Sequence, residues 1–273
     1  MNLLRAASTI SLLTLVSRVS GLARDIAVAN AFGASAWMDA FNVAFRIPNF
    51  LRRLFGEGAF QQAFVPILAE TREREGESVA AALIDAVATI LFWILLLTCV
   101  VGVVAAPLMV LLMASGLKEL DGAVVMTRIM FPYIGLISMV SLAAGILNTW
   151  KRFVVPAATP VLLNLASIAA ALWLGPQFER WGIHAIYAQA VGVMIGGVVQ
   201  LAIQFPALRR IGALPRLGLL PSRIRAAWMH PGVGRVMRQM APALVGVSVA
   251  QVSILINTQI ATHQGVGAVS WLD

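Results

Sequence analysis

Five stretches of this chain contain no Asp, Glu, Lys or Arg: 86–117, 129–150, 153–178, 181–208 and 239–272. Each exceeds the roughly 20 apolar residues that a helix needs to cross a bilayer. Hydrocarbon offers no partner to a backbone N–H or C=O, so only helices and closed barrels can span it. The runs are rich in Leu and Ala and far longer than the alternating strands of about 10 residues found in barrels. They predict helices. The rest of the sequence agrees: 60% of the 273 residues are hydrophobic and 12% charged, against about 25% charged in a soluble domain. The expected class is an all-α polytopic membrane protein.

Seven spans are expected, near 8–30, 36–68, 83–113, 124–149, 156–175, 182–207 and 238–262. Polar connections are expected at 70–78 (ETREREGES), 114–122, 150–155 and 176–181. The longest connection, 208–237, interleaves Arg209, Arg210, Arg216, Arg223, Arg225 and Arg235 with Leu, Ile and Trp. That pattern suits an amphipathic helix on an anionic leaflet better than nucleic-acid binding, because it lies between two spans. Basic residues alternate by side: Arg72, Arg74, Lys151, Arg152 and the arginines at 209–238 lie on one side, Lys118 and Arg180 on the other. The positive-inside rule then places the N-terminus and the 208–237 linker in the cytoplasm. The N-terminus does not read as a cleaved signal, since Arg18 interrupts its apolar run.

The segment IAVANAFGASAWMD (26–39) aligns without gaps to IATHQGVGAVSWLD (260–273), with Ile, Ala, Gly, Ala, Trp and Asp shared. Six spans fit between the copies, which implies a parallel repeat. Residues 1–207 then form one lobe, 208–237 a basic cytoplasmic linker, and 238–273 the first helix of a second lobe that ends there.

The first two spans hold Arg18, Arg24, Asp25, Asp39, Arg46, Arg52, Arg53 and Glu57, while the other five have almost no charges, Asp85 and Arg128 lying near span ends. A charge at the bilayer centre costs about 2.5 kcal/mol or more. Concentrated in two adjacent helices, these groups suggest a shared aqueous cavity. Structural ion pairing is the alternative, but five arginines face three carboxylates. The surplus suits an anion, since guanidinium binds phosphate in bidentate fashion and stays charged when buried. Arg46 and Arg53 are equally suited to snorkelling toward an interface. Ser17, Ser20 and Gly21 are expected to let the first span unwind. Pro48, followed by Gly56 and Gly58, should bend the second.

These residues also carry a resemblance. SRVSGLARD (17–25), DAFNVAFRIPNFLRRLFGEGAFQQAFVPILAE (39–70), FPYIGLISMVSLAAGILNTWKRFVVPAATPVLLN (131–164) and MAPALVGVSVAQVSILINT (240–258) resemble the MurJ (MviN) family of bacterial lipid II flippases. The resemblance implies a two-lobe helical transporter related to MATE-type exporters, in the inner membrane. It implies that undecaprenyl-diphosphate-linked peptidoglycan precursor moves between leaflets by alternating access. It assigns substrate binding to Arg18, Arg24 and Arg52, with Asn49 and Ser17, and gating or charge balance to Asp39 and Glu57; Asp25 joins them as a charge-balancing group. Members of that family are much longer, so this chain corresponds to the N-terminal six-helix lobe plus the first helix of the second. A missing second lobe or another copy would complete it.

Two other functions remain open on the residues alone. A MATE-type antiporter of cationic drugs should offer a net negative cavity, and a non-transporting scaffold would be indifferent to cavity arginines. No nucleophile–base set, nucleotide loop or metal-ligand spacing appears, so neither an enzyme nor a cofactor is expected. His184, His230 and His263 are scattered, and Cys99 reads as a small apolar filler.

Overall fold

The structure, a computed structural model, describes residues 3–52, 59–264 and 270. Twelve α-helices run through the described residues: α1 (Leu3–Phe32), α2 (Ala36–Arg52), α3 (Ala59–Glu75), α4 (Glu77–Ala114), α5 (Leu120–Met130), α6 (Tyr133–Thr149), α7 (Val154–Ala169), α8 (Gly175–Arg180), α9 (Tyr187–Ala202), α10 (Gln204–Arg210), α11 (Pro221–Trp228) and α12 (Pro231–Thr262). Four helical stretches are long and apolar enough to cross a membrane: Glu77–Ala114, Leu120–Thr149, Val154–Arg180 and Tyr187–Arg210. They are four of the seven expected spans. The other three fall on α1, on α2 with α3, and on α12.

Several boundaries differ from the sequence expectation. The ETREREGES connection is almost entirely helical: α3 runs to Glu75, α4 starts at Glu77, and Gly76 alone breaks the helix with a φ of 94°. Glu and Arg are good helix formers, and the Arg74–Glu70 pair at 3.0 Å supports the last turn. The connection expected at 176–181 is mostly helix too. A π-helical turn at Ala170–Leu174 joins α7 to α8, and the chain turns only after Arg180. The linker is shorter than 208–237, because α12 begins at Pro231. Proline is at home in a first turn, and His230 Nδ1 accepts the Gly232 N–H at 3.1 Å.

The first helix does not unwind. α1 is continuous through Ser17, Ser20 and Gly21. Its end is set by Gly33, which has a φ of 59°. Ser35 then starts α2, its Oγ accepting the Met38 N–H at 3.1 Å. α2 stays helical past Pro48, while Arg53, Gly56 and Gly58 lie outside the described residues.

Two apolar clusters hold the bundle. One packs Phe60, Phe64, Ile67, Leu83, Ile84 and Ile146 between α3, α4 and α6, with Val233 and Val236 of α12. The other packs Phe41, Ala44, Met126, Phe131, Ile134 and Val193 between α2, α5, α6 and α9. At Gly102 a Cβ would lie 1.9–2.4 Å from the Phe131 ring, which is 1% exposed and enclosed. Gly102→Ala is therefore expected to destabilise the bundle by about 1–3 kcal/mol. A thermal melt in detergent checks this, and an unchanged midpoint would refute the close fit.

The linker is strapped to α4. The Arg216 N–H donates to Asp85 Oδ1 at 2.8 Å, the Gly218 N–H to Thr89 Oγ1 at 2.9 Å, and Trp93 Nε1–H to the Gly218 carbonyl at 3.0 Å. Leu219, Leu220, Trp228 and Met229 of this segment are exposed.

Candidate functional site

Two chambers lie side by side among α1, α2, α6, α7 and α9. The larger, about 800 Å³, is lined by Ser17, Arg18, Gly21 and Arg24 of α1, by Phe45 and Asn49 of α2, and by polar residues that include Gln61, Tyr133, Asn148, Asn164 and Gln200. It lies toward the 150–153 turn, with Asn148 and Phe153 in its wall. The smaller, about 590 Å³, is lined by Arg24, Asp25, Arg46, Asn42, Asn49 and Gln189, and reaches Gly33, Ala34 and Ser270. Arg24, Phe45, Asn49 and Leu163 belong to both walls, so they form the neck between the chambers.

The charge is lopsided. The described lining of the larger chamber holds two arginines and no carboxylate. Arg18 makes no hydrogen bond or ion pair with a described residue. Arg24 is held on both sides: Nε and Nη2 donate to Asp25 Oδ1 at 3.0 and 2.7 Å, and Nη1 donates to Asn164 Oδ1 at 3.2 Å. The ion pair is partly open to solvent, with Arg24 35% and Asp25 64% exposed.

Ser17 and Arg18 thus line the larger chamber and Asp25 the smaller, while Arg24 and Asn49 line both. Asp39 lies apart from both linings. It is 3% exposed in the first turn of α2, and its Oδ1 accepts the Ser270 N–H at 2.9 Å and the Ser270 hydroxyl at 2.7 Å. Asn42 Nδ2 also donates to Ser270 Oγ at 3.3 Å. Ser270 aligns with Ala36 in the internal repeat, so the two copies of the motif touch at this end. Arg52 closes α2, and its side chain and all of Glu57 lie outside the described residues.

Arg46 does not snorkel. It lines the smaller chamber and its Nη1 donates to Thr258 Oγ1, crossing from α2 to α12. Sequence reasoning also missed the amides on α7 and α9. Ser167 Oγ donates to Gln189 Oε1 at 2.7 Å, and Gln189 Nε2 returns to the Ser167 carbonyl at 3.1 Å. Gln200 Nε2 donates to the Thr159 carbonyl at 2.9 Å. The available signal was Asn or Gln inside a charge-free span, where an unbonded amide would be costly. No group of three His, Cys, Asp or Glu among the described residues is placed to hold a metal ion.

At the opposite end of the bundle, α3 and α12 are tied. Arg235 Nη2 donates to Glu70 Oε2 at 2.7 Å. That hydrogen bond, then the charge of Arg235, holds the Glu70 carboxyl below its ordinary range. A carboxylate lowered in the folded state supports the tie above its unfolded pKa of about 4.3 and loses it as pH falls through the lower folded value. Spin labels at Glu73→Cys and Arg238→Cys, with Cys99 replaced by Ala, should keep one distance down to about pH 5 and broaden below about pH 4. Glu70→Gln should broaden at pH 7.

Residues 28–273 match the model of a family described as Lipid II flippase MurJ. A lipid II flippase MurJ from Burkholderia cenocepacia is 52% identical over 278 residues, covering 100% of this chain and 52% of the relative. Probable lipid II flippases MurJ from Vibrio cholerae and Buchnera aphidicola are 38% and 37% identical, with 99% and 100% of this chain covered and 51% and 52% of theirs. Among solved structures, a lipid II flippase MurJ in an inward closed conformation superposes with a TM-score of 0.75 at 24% identity, covering 96% of this chain and 52% of that one. That likeness speaks to the fold. The chain spans about half the length of the curated relatives it matches.

Proposed function

The chain belongs to the MurJ family of lipid II flippases, and on that premise we propose that it forms the anion-binding lobe of a transporter that moves a diphosphate-linked lipid precursor from the inner to the outer leaflet of the cytoplasmic membrane. The observation that carries this reading is the larger chamber: Arg18 and Arg24 face a space of about 800 Å³ with no carboxylate in its described wall. A surplus of guanidinium inside an apolar bundle favours an anionic ligand. A diphosphate presents negative charge on two adjacent phosphoryl groups, which two arginines can meet together.

In this reading Arg18, Arg24 and Arg52 take the diphosphate, Asn49 and Ser17 take neighbouring polar groups of the head, and Asp25 balances Arg24 while the site is empty. Asp39 latches one end through Ser270, and Glu57 serves charge balance or gating near Arg52. Alternating access requires the two ends to release in turn. The ties Asp39–Ser270 and Glu70–Arg235 lie at opposite ends and both join the first lobe to the segment after residue 230. A second lobe, or another copy of this chain, supplies the remaining cavity wall. The linker, with its arginines and exposed Leu219, Leu220 and Trp228, rests on the anionic cytoplasmic leaflet, which puts the N-terminus in the cytoplasm. Flipping breaks no covalent bond, so the site needs no nucleophile.

The test is binding by the purified chain in nanodiscs to undecaprenyl diphosphate, undecaprenyl phosphate and undecaprenol. Affinity should fall in that order, and salt should weaken the first most. Equal affinity for all three would overturn the reading.

A further inference from the structure

We infer that Asn164 of α7 is a positioning residue for the anion site, acting through Arg24 and touching no ligand charge itself; the inference rests on the function proposed above. Asn164 is buried, and every polar atom of its amide is engaged with α1. Its Oδ1 accepts from Arg24 Nη1 at 3.2 Å, and its Nδ2 donates to the Ser17 carbonyl at 3.2 Å and to Ser20 Oγ at 2.9 Å. The amide has one workable orientation here. Arg is donor only, so Oδ1 must face it, and the Ser17 carbonyl is acceptor only, so Nδ2 must face that.

The consequence lies in what is left of Arg24. A guanidinium carries five N–H bonds. Asp25 takes one from Nε and one from Nη2, and Asn164 takes one from Nη1. One N–H on each terminal nitrogen then remains uncommitted to a described residue. With Asn164 on the Nη1 hydrogen that points back toward Cδ, that pair forms the end-on fork which matches two oxygens of a phosphate. Asp25 alone would leave the plane free to turn about its carboxylate oxygen. Asn164, reaching in from the facing helix, fixes it at the neck of both chambers. Arg24 is thereby held ready before a ligand arrives, which spares the cost of ordering a long side chain on binding.

The experiment is a double-mutant cycle on the chain in nanodiscs, with dissociation constants for undecaprenyl diphosphate and undecaprenyl phosphate. Asn164→Leu should weaken diphosphate binding about tenfold and narrow the preference for diphosphate over monophosphate. In the Arg24→Ala background the same change should add less than about twofold. An equal loss in both backgrounds, an equal loss for both lipids, or no loss at all would overturn the role of Asn164 while the proposed function stands. No loss on Arg24→Ala alone would instead defeat the proposed function, and the positioning role with it. Should the leucine variant not fold, Asn164→Asp keeps the shape of the residue and its bond to Arg24 but cancels the charge. Diphosphate affinity should fall there too, and unchanged or raised affinity would overturn the inference.

Discussion

Replacing Arg24 with alanine is expected to weaken binding of a diphosphate lipid roughly 10- to 150-fold, with the helical content and melting temperature of the chain nearly unchanged. The magnitude follows from hydrogen bonds to charged groups, worth about 1.5–3 kcal/mol, at about 1.4 kcal/mol per tenfold. Arg24 stands where the two chambers meet, so its loss removes the one described cation common to both walls. The fold should tolerate the change. The Arg24–Asp25 pair is partly exposed, and an exposed pair contributes about 1 kcal/mol or less. Asp25 is left in contact with water, while Asn164 keeps its bonds to Ser17 and Ser20. Arg24→Lys should recover part of the affinity, because lysine restores charge without the planar fork. Titration of undecaprenyl diphosphate into nanodiscs measures all three chains. Wild-type affinity in the alanine variant would remove Arg24 from the site.

Breaking the Asp39–Ser270 contact is the second change with a large expected effect. Asp39→Ala leaves the Ser270 N–H and hydroxyl without their acceptor. Each bond to a charged acceptor contributes about 1.5–3 kcal/mol. Losing even one raises the ratio of open to closed forms roughly 10- to 150-fold at this end. Val193 lines the smaller chamber and is buried, so it reports the change. In a chain carrying Val193→Cys and Cys99→Ala, a membrane-impermeant thiol reagent should label slowly when Asp39 is intact and at least tenfold faster in Asp39→Ala. Asp39→Asn keeps an acceptor oxygen without the charge and should fall between them. Equal labelling in all three chains would mean that Asp39 holds nothing shut.

What the sequence made legible divides along physical lines. The spans were readable because hydrocarbon admits so few solutions: charge-free runs such as 86–117 and 181–208 had to be helices. That Arg18, Arg24 and Asp25 would line cavities rather than face lipid was readable for the same reason, since charges in a bilayer must find one another or water. The ends of elements were not. Arg and Glu between 70 and 78 look like a loop, yet their propensity is helical, and water accepts a charged helix end as easily as a coil. The break narrowed to Gly76, where a positive φ is cheap. Ser17, Ser20 and Gly21 looked like a weak point in α1, but a side chain 144 residues beyond Ser20 braces it. Asn164 could not be foreseen because its role depends on which two helices face each other. Arg46 was misjudged for a similar reason: its partner, Thr258, belongs to a helix far along the chain.

α4 holds 38 residues, a rod of about 57 Å at about 1.5 Å per residue. Its charge-free part begins at Ala86 and runs to the end of the helix. The hydrocarbon layer is only about 30 Å thick. A rod with more greasy length than the membrane has depth must lean, or thicken the lipid around it. Its foot is pinned by the strap at Asp85, Thr89 and Trp93, so lean is passed to the segment that leads into α12. Its head is bound to α12 as well, through Ser115 and Gln259. The acyl-chain length of the surrounding lipid should therefore shift the tilt of α4, and with it the position of the α12 end that Gln259 ties to Ser115.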